Sequence, residues 1–149
     1  MKIEEEIQRN SFRNEYQKSA INLIYTYGWL HNKQKIFFNK FNITAQQYNV
    51  LRILKRQFPD AISTSEIKHR MLDKNSDVSR IIDRLENKGL IYKNPCLSDK
   101  RLVDVSVTHK GLQLLSEIEI QILDLDNFFS TLELEEAKEL NRLLDKLRG

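Results

Sequence analysis

The sequence has little that crosslinks, bends or interrupts a polypeptide chain. Its 149 residues include one cysteine, two prolines and four glycines. Because Cys96 is the single cysteine, no disulfide can form within the chain. With so few turn-forming residues, helices joined by short loops are favoured over an all-β fold. The length suits one domain with one well-buried core.

Segments that would direct the chain to a membrane are also missing. No apolar run approaches the ~20 residues that a transmembrane helix needs. The first ten residues, MKIEEEIQRN, are acidic and polar, whereas a signal peptide begins with a basic and then an apolar region. We therefore expect a cytoplasmic protein that makes no contact with a membrane.

The motifs of common enzyme classes do not occur either. The sequence contains no GxxxxGK[ST], GxSxG, HExxH or GxGxxG. The three histidines, His31, His69 and His109, lie in different predicted elements, and with one cysteine they make a zinc site improbable. We predict a protein that is not an enzyme, with no catalytic residues, no metal site and no cofactor.

The charge that is present is unevenly distributed. The net charge is +3, but residues 40–110 contain 14 basic and 8 acidic side chains, whereas residues 111–149 contain 4 basic and 9 acidic ones. A basic centre between less basic ends is typical of a chain whose middle faces a polyanion. Ordinary surface variation is the alternative explanation of the charge alone.

Helical periodicity dominates the pattern at both ends of the chain. From about residue 12 to residue 39, apolar side chains recur at helical spacing on more than one side, which predicts a long helix with a wide apolar surface. Thr108 is a plausible N-cap for another long helix, in which the 3,4 spacing runs from Leu112 to Phe129. A last amphipathic helix is predicted from about Leu134 to Leu147.

The basic centre has the pattern of a winged helix-turn-helix. Capping boxes begin at Thr44 and Ser63 and predict two helices, the first ending near Phe58-Pro59. A polar turn precedes a further helix with an apolar stripe from Val78 to Leu85, and Gly89 suits its C-cap. Residues 90–93 and 102–107 have the β-branched and aromatic composition of a two-stranded hairpin.

Four segments of this centre resemble the MarR family of bacterial multiple-antibiotic-resistance regulators. They are residues 44–51 (TAQQYNVL), 76–90 (SDVSRIIDRLENKGL), 99–101 (DKR) and 108–111 (THKG). The resemblance implies a mainly α fold with a small β-hairpin wing. It implies one MarR-like domain over 1–149, with a DNA-binding lobe at 40–110 and long dimerisation helices at 1–39 and 111–149.

The resemblance also implies where DNA would bind. The fourth helix would lie in the major groove, with Arg80 as the best candidate for a base contact, because a guanidinium can bond guanine O6 and N7. Asp99 would orient Arg101 into the minor groove. A solvated helix face with local ion pairs is the alternative for Arg80, and Asp77 either accepts from a base or caps the helix. The predicted DNA-binding residues are Lys74, Asn75, Ser76, Ser79, Arg80, Arg84, Lys93, Asp99, Lys100 and Arg101.

Partners follow from the flanking helices and from the resemblance. Two unpaired amphipathic helices and an aromatic-rich first helix indicate a homodimer, which would bind a near-palindromic DNA operator; a monomer that packs these helices on itself is the alternative. The resemblance implies that the regulator acts as a repressor. Family members commonly bind a small molecule between the dimerisation helices and the DNA-binding lobe. For a small aromatic or amphipathic effector, the candidate lining residues are Tyr25, Trp29 and Tyr48, with His31 and Phe38, although such aromatics also suit a core.

Two other functions remain open at this stage. Some relatives sense oxidants through a cysteine, and Cys96 lies beside Pro95 in the predicted wing, where Lys93 and Lys100 would lower its pKa. A redox-sensing regulator is therefore one alternative. A winged-helix module that binds proteins and not DNA is the other.

Overall fold

The computed structural model describes residues 1–9, 11–95, 97–98 and 103–149. A turn of 3-10 helix at Asn127–Phe129 follows the seventh helix. The other elements are, in chain order, α1 (Ile3–Glu6), α2 (Glu15–Asn39), α3 (Ala45–Gln57), β1 (Ile62–Ser63), α4 (Thr64–Arg70), α5 (Val78–Asn87), β2 (Ile91–Pro95), β3 (Val103–Val107), α6 (His109–Ile120), α7 (Leu123–Asp126) and α8 (Leu134–Arg148).

Side-chain caps set the starts of the central helices. Thr44 Oγ1 accepts from the Gln47 amide at 3.1 Å, while Gln47 Oε1 accepts from the Thr44 amide at 3.1 Å, so the capping box predicted for α3 is confirmed. Ser63 caps α4 through the amide of Glu66. Gly89 follows α5 with φ of 70°, a left-handed conformation that glycine adopts without a steric penalty.

The wing is a three-stranded antiparallel sheet in the order β1-β3-β2. Strand β2 pairs with β3 from Ile91 opposite Val107 to Pro95 opposite Val103, as the hairpin prediction required. The two residues of β1 add a third strand, with Ile62 opposite Val105. The sequence pattern missed β1, because two residues before a helix cap are too short to show a strand period.

The hydrophobic core lies in the lobe formed by α3, α4, α5 and the sheet, and at the junction of this lobe with α2 and α6. Helices α3, α4 and α5 and the sheet bury their apolar faces against one another, and the end of α2 and the first turns of α6 close the core. Gly111 of α6 sits where a Cβ would lie 2.4 Å from the carbonyl oxygen of Leu90, so glycine permits this close approach. The largest fully buried side chains include Phe38, Leu51, Leu54, Ile67, Met71, Ile82, Leu85, Ile91, Leu115 and Ile118.

The flanking helices differ from the prediction in two ways. The first long helix begins at Glu15, and a short helix α1 precedes it, with Glu4 of α1 paired to Lys18 at 2.5 Å. The predicted helix from Thr108 to Phe129 is wrong as one element, because α6 ends at Ile120 and α7 starts at Leu123. No proline or glycine lies between these helices. The sequence therefore contains no helix-breaking residue from which this interruption could be predicted.

Exposed ion pairs connect α2 and α3 to this interrupted helix. Lys55 of α3 lies 3.1 Å from Glu119 Oε2, and Arg52 lies 3.8 Å from Glu119 Oε1. The hydrogen bond from Lys55 lowers the pKa of the Glu119 carboxyl. Lys40, after α2, lies 3.8 Å from Asp124 of α7. These pairs join α6 to α3 and the end of α2 to α7, although exposed pairs of this kind stabilise a fold only slightly.

Candidate nucleic-acid interface

Helix α5 follows α4 after a short turn and presents one polar face to solvent. Asp77 caps α5, because its Oδ1 accepts from the amide of Arg80 at 3.1 Å. The apolar stripe of α5, formed by Val78, Ile81, Ile82 and Leu85, is buried in the core. The opposite face exposes Ser79, Arg80, Asp83, Arg84 and Asn87. A helix anchored on one side and polar on the other has the form of a recognition helix.

The two arginines of this face have no side-chain partner among the residues that the structure describes. Within the part of the chain that the structure describes, neither Arg80 nor Arg84 has a side-chain hydrogen bond or an ion pair, although Asp77 and Asp83 are near in sequence. The alternative in which Arg80 is held in a local ion pair therefore finds no support in these contacts. An unpaired, always charged guanidinium on an exposed helix face suits both phosphate and guanine.

The turn before α5 departs from the expected outward-facing arrangement. Lys74 and Asn75 are exposed, and Lys74 Nζ donates to the carbonyl of His69. The prediction that Ser76 faces outward is wrong: Ser76 is only 5% exposed, and Gln46 Nε2 donates to its Oγ at 3.4 Å. The same Gln46 amide donates to Asp73 at 3.3 Å. Ser76 is buried because this contact draws the turn onto the start of α3.

Lys93 of β2 is held by two carboxylates of α5. Its Nζ lies 2.7 Å from Asp83 Oδ1 and 3.1 Å from Glu86 Oε2. The hydrogen bonds to Asp83 and then to Glu86 raise the pKa of the Lys93 ammonium. The predicted phosphate contact of Lys93 stays a prediction. No local sequence pattern indicates this cluster, since its members lie on a helix and on a strand.

The predicted wing tip lies outside the described residues. Asp99, Lys100 and Arg101 belong to it, and so does Cys96, the proposed redox residue. Their roles stay predictions from the sequence. The two strands that lead to the tip, β2 and β3, are described in full, and β2 lies beside α5.

The residues predicted to line one effector crevice are divided between separate cavities. Tyr25 and Trp29 line a cavity of about 190 Å³ with Ile3 and Glu6, where the Tyr25 hydroxyl donates to Glu6 at 2.6 Å. The N-terminal segment covers that side of α2, which separates these residues from Tyr48. Tyr48 packs on Phe38 with ring centroids 4.7 Å apart, and burial raises the pKa of its hydroxyl.

Tyr48 lines a larger crevice between α2, α3 and α4. The crevice has a volume of about 730 Å³, within the range of small-molecule sites. A second cavity of about 480 Å³, lined by His31, Met71 and Asp73, adjoins it and shares Gln34 and Leu72. Three arginines and a histidine that sequence reasoning did not single out also line the larger crevice: Arg52, Arg56, His69 and Arg70.

Comparison with known proteins identifies this arrangement. The model of the MarR family matches residues 43–103, which hold β1, β2, α3, α4 and α5 and end at the first residue of β3. The transcriptional regulator PecS of Dickeya dadantii is 30% identical over 112 residues, which are 74% of this chain and 68% of PecS. The regulator MgrA of Staphylococcus aureus is 31% identical over 110 residues, 74% of this chain and 73% of MgrA. The chain belongs to the MarR family.

Solved structures of MarR-family proteins have the same fold. A MarR transcription factor from Planctomyces limnophilus is 31% identical, with a TM-score of 0.71 over 91% of this chain and 98% of that one. A mutant MarR of Escherichia coli, solved with operator DNA, is 24% identical, with a TM-score of 0.79 over 93% of this chain and 99% of that one. The mainly helical fold with a small sheet as its wing is thus confirmed.

Family membership also settles the class of function. The MarR-family chain is a DNA-binding transcriptional regulator and not an enzyme. Among the residues that the structure describes, no helix is both long and apolar enough to cross a bilayer. Nor do the described ranges bring together three or more histidine, cysteine or acidic side chains that could hold a metal ion.

The Asp77 cap generates a prediction for this MarR-family interface. We expect Asp77→Ala to lower the free energy of unfolding by about 1 kcal/mol, because the first turn of α5 loses its cap. Asp77→Asn should stay close to the original protein, since an asparagine oxygen accepts the same amide proton. Urea unfolding followed by circular dichroism checks both variants. An Asp77→Ala protein as stable as the original would show that the hydrogen bond contributes nothing.

Proposed function

We propose that the chain is a homodimeric repressor that binds a near-palindromic operator and responds to a small effector. The observation that best supports this function is the exposed face of α5, where Ser79, Arg80 and Arg84 project from a helix whose other side is locked in the core. The MarR of Escherichia coli and the MepR of Staphylococcus aureus, both solved with DNA, share the fold.

DNA recognition would combine the helix face with the wing. With α5 in the major groove, Arg80 in its first turn approaches base edges, while Arg84 lies one turn further along and suits a phosphate. Ser79 lies beside Arg80 and can bond either a base or a phosphate. The sequence-predicted wing residues Asp99, Lys100 and Arg101 would add minor-groove and backbone contacts.

We expect the purified protein to select a near-palindrome from genomic fragments, with half-sites about one helical turn apart and overlapping a promoter. Arg80→Ala should weaken binding to that operator about tenfold, with a much smaller loss on random duplex, because a guanine contact is sequence-specific. Fluorescence anisotropy on both duplexes measures this. Arg142→Ala, on the exposed side of α8, serves as the control, and equal losses on both duplexes from Arg80→Ala would refute the base contact.

The dimer is supported by helices that the chain leaves uncovered. Helix α8 buries none of its residues, although Leu140, Leu143 and Leu147 form a stripe along one side. On α2, Ile24 is 72% exposed and Tyr27 is 64% exposed. Apolar surface of this extent on two long helices favours association with a second copy. Twofold symmetry would then present two α5 helices to successive major grooves.

Removal of the residues from Leu134 onward should abolish the dimer and, with it, tight operator binding. Leu140→Glu should have the same effect in the full chain, since it places a charge in the middle of the apolar stripe. Analytical ultracentrifugation gives the oligomeric state. Lys138→Ala, on the opposite face of α8, is the matched control and should remain dimeric. A dimeric Leu140→Glu protein would remove α8 from the interface.

The crevice between α2 and the DNA-binding lobe is the proposed effector site. Its apolar lining includes Phe38, Tyr48 and Leu125. Arg56 also lines the crevice and has no ion-pair partner among the described residues. A guanidinium without an ion-pair partner, in a crevice lined by aromatic side chains, favours the binding of a small amphipathic anion. Relatives of the same fold have been solved with a natural ligand, in PcaV, or studied for control of DNA binding by 6-hydroxynicotinic acid, in BpsR.

Benzoate, as a simple aromatic anion, should weaken operator binding at least about fivefold at saturation, whereas neutral benzamide should have little effect. Arg56→Gln should remove the response to benzoate without changing operator affinity in its absence. Anisotropy titrations with each compound test this, with Arg142→Gln as the control. Equal effects of benzoate and benzamide, or an unchanged response in Arg56→Gln, would argue against this anion site.

A further inference from the structure

Lys93 joins the wing to the recognition helix through two ion pairs. It lies on β2, opposite Val105 of β3, and its ammonium reaches Asp83 at 2.7 Å and Glu86 at 3.1 Å. The Lys93 side chain is 30% exposed, and those of Asp83 and Glu86 are 61% and 40% exposed. The cluster therefore lies at the surface, where β2 meets the second half of α5.

The carboxylates of Asp83 and Glu86 would repel phosphates if α5 faces DNA. Asp83 is on the same exposed face as Arg80 and Arg84, one turn from Ser79. Without a counter-charge, Asp83 and Glu86 would place two negative charges close to the phosphates and beside the arginines. Lys93 reduces the net charge of the cluster from −2 to −1, and its ammonium stays protonated because both hydrogen bonds favour the charged form.

The same geometry makes Lys93 a poor phosphate ligand. Two of the three N–H donors of an ammonium are engaged by carboxylates. A phosphate that approached the third donor would also approach Asp83 and Glu86, so that the local field it meets is negative. This differs from Arg80 and Arg84, which have no carboxylate within ion-pair distance in the described chain.

We propose that Lys93 is a positioning residue for DNA recognition: it offsets half of the negative charge of Asp83 and Glu86 and fixes the wing strand β2 against α5, and it does not itself bind phosphate. The inference rests on the proposed docking of α5 in the major groove. The surface position of the cluster means that its loss costs the fold little. Its effect is on where the wing lies relative to the recognition helix and on the charge that DNA meets there.

A double-mutant cycle separates this role from phosphate binding. Lys93→Gln is made in the original protein and in an Asp83→Asn/Glu86→Gln background, and operator binding is measured by anisotropy across a range of salt concentrations. In the original protein we expect Lys93→Gln to weaken operator binding about fivefold and to weaken binding to random duplex less. In the Asp83→Asn/Glu86→Gln background, the same substitution should weaken operator binding less than about twofold. Lys93→Arg should restore binding, because a guanidinium can pair with the same carboxylates.

The salt dependence provides a second readout. A lost phosphate contact lowers the slope of log K against log salt by about one, equally in both backgrounds and on all sequences. In the Asp83→Asn/Glu86→Gln background, where no carboxylate charge is left to offset, the proposal predicts that Lys93→Gln leaves the slope unchanged. An equal loss in both backgrounds, a slope lower by about one in the Asp83→Asn/Glu86→Gln background, or no loss in the original protein would each overturn it.

Two further variants, Lys55→Gln and Arg80→Ala, distinguish failure of the positioning role from failure of the proposed docking of α5. Lys55→Gln breaks an ion pair of similar length, Lys55 with Glu119 at 3.1 Å, on the far side of the lobe, and should leave the operator-to-random ratio unchanged. Arg80→Ala is measured in the same assay. If Arg80→Ala leaves this ratio unchanged, the docking of α5 is wrong. If Arg80→Ala lowers the ratio and Lys93→Gln leaves it unchanged, as Lys55→Gln does, the docking of α5 stands and only the positioning role of Lys93 fails.

Discussion

The close packing of α3 against α5 beneath the sheet is the constraint on which the DNA-binding surface depends. Leu51 and Leu54 of α3 and Ile82 and Leu85 of α5 are fully buried, and Val105 of β3 belongs to the same core. Because protein interiors pack at the density of organic crystals, such a core permits few positions for α5. The direction in which Arg80 points is therefore set from inside the lobe.

The core determines the position of α5, and local polar contacts further restrict the position of its ends and of the wing. Asp77 caps the first turn of α5, Gln46 bonds Ser76 and so joins the preceding turn to α3, and Lys93 joins β2 to the second half of α5. Each contact is worth little to the stability of the fold. Together they act on both ends of the recognition helix and on the wing beside it, where displacements of an ångström decide whether a base edge is reached.

The sequence predicted those features that repeat or that act over a few residues. The capping box at Thr44, the Gly89 cap and the apolar stripe of α5 are local, and each was located correctly. The burial of Ser76 and the Lys93 cluster depend on residues 30 and 10 positions away, which no local pattern reveals. Strand β1 is too short to show a period, and the break after Ile120 coincides with no helix-breaking residue.

Helix α3 connects the parts of the proposed function, because it contributes to both the crevice and the core. Arg52 and Arg56 line the crevice, Arg52 also faces Glu119 of α6, and Leu51 and Leu54 pack beneath α5. An anion that draws Arg52 into the crevice competes with Glu119 for the same guanidinium. Since close-packed elements shift as units, a movement of α3 relative to α2 would be passed to α5 with little loss. In a twofold dimer a small rotation of each lobe changes the separation of the two recognition helices, and that separation must match one turn of DNA for both to bind.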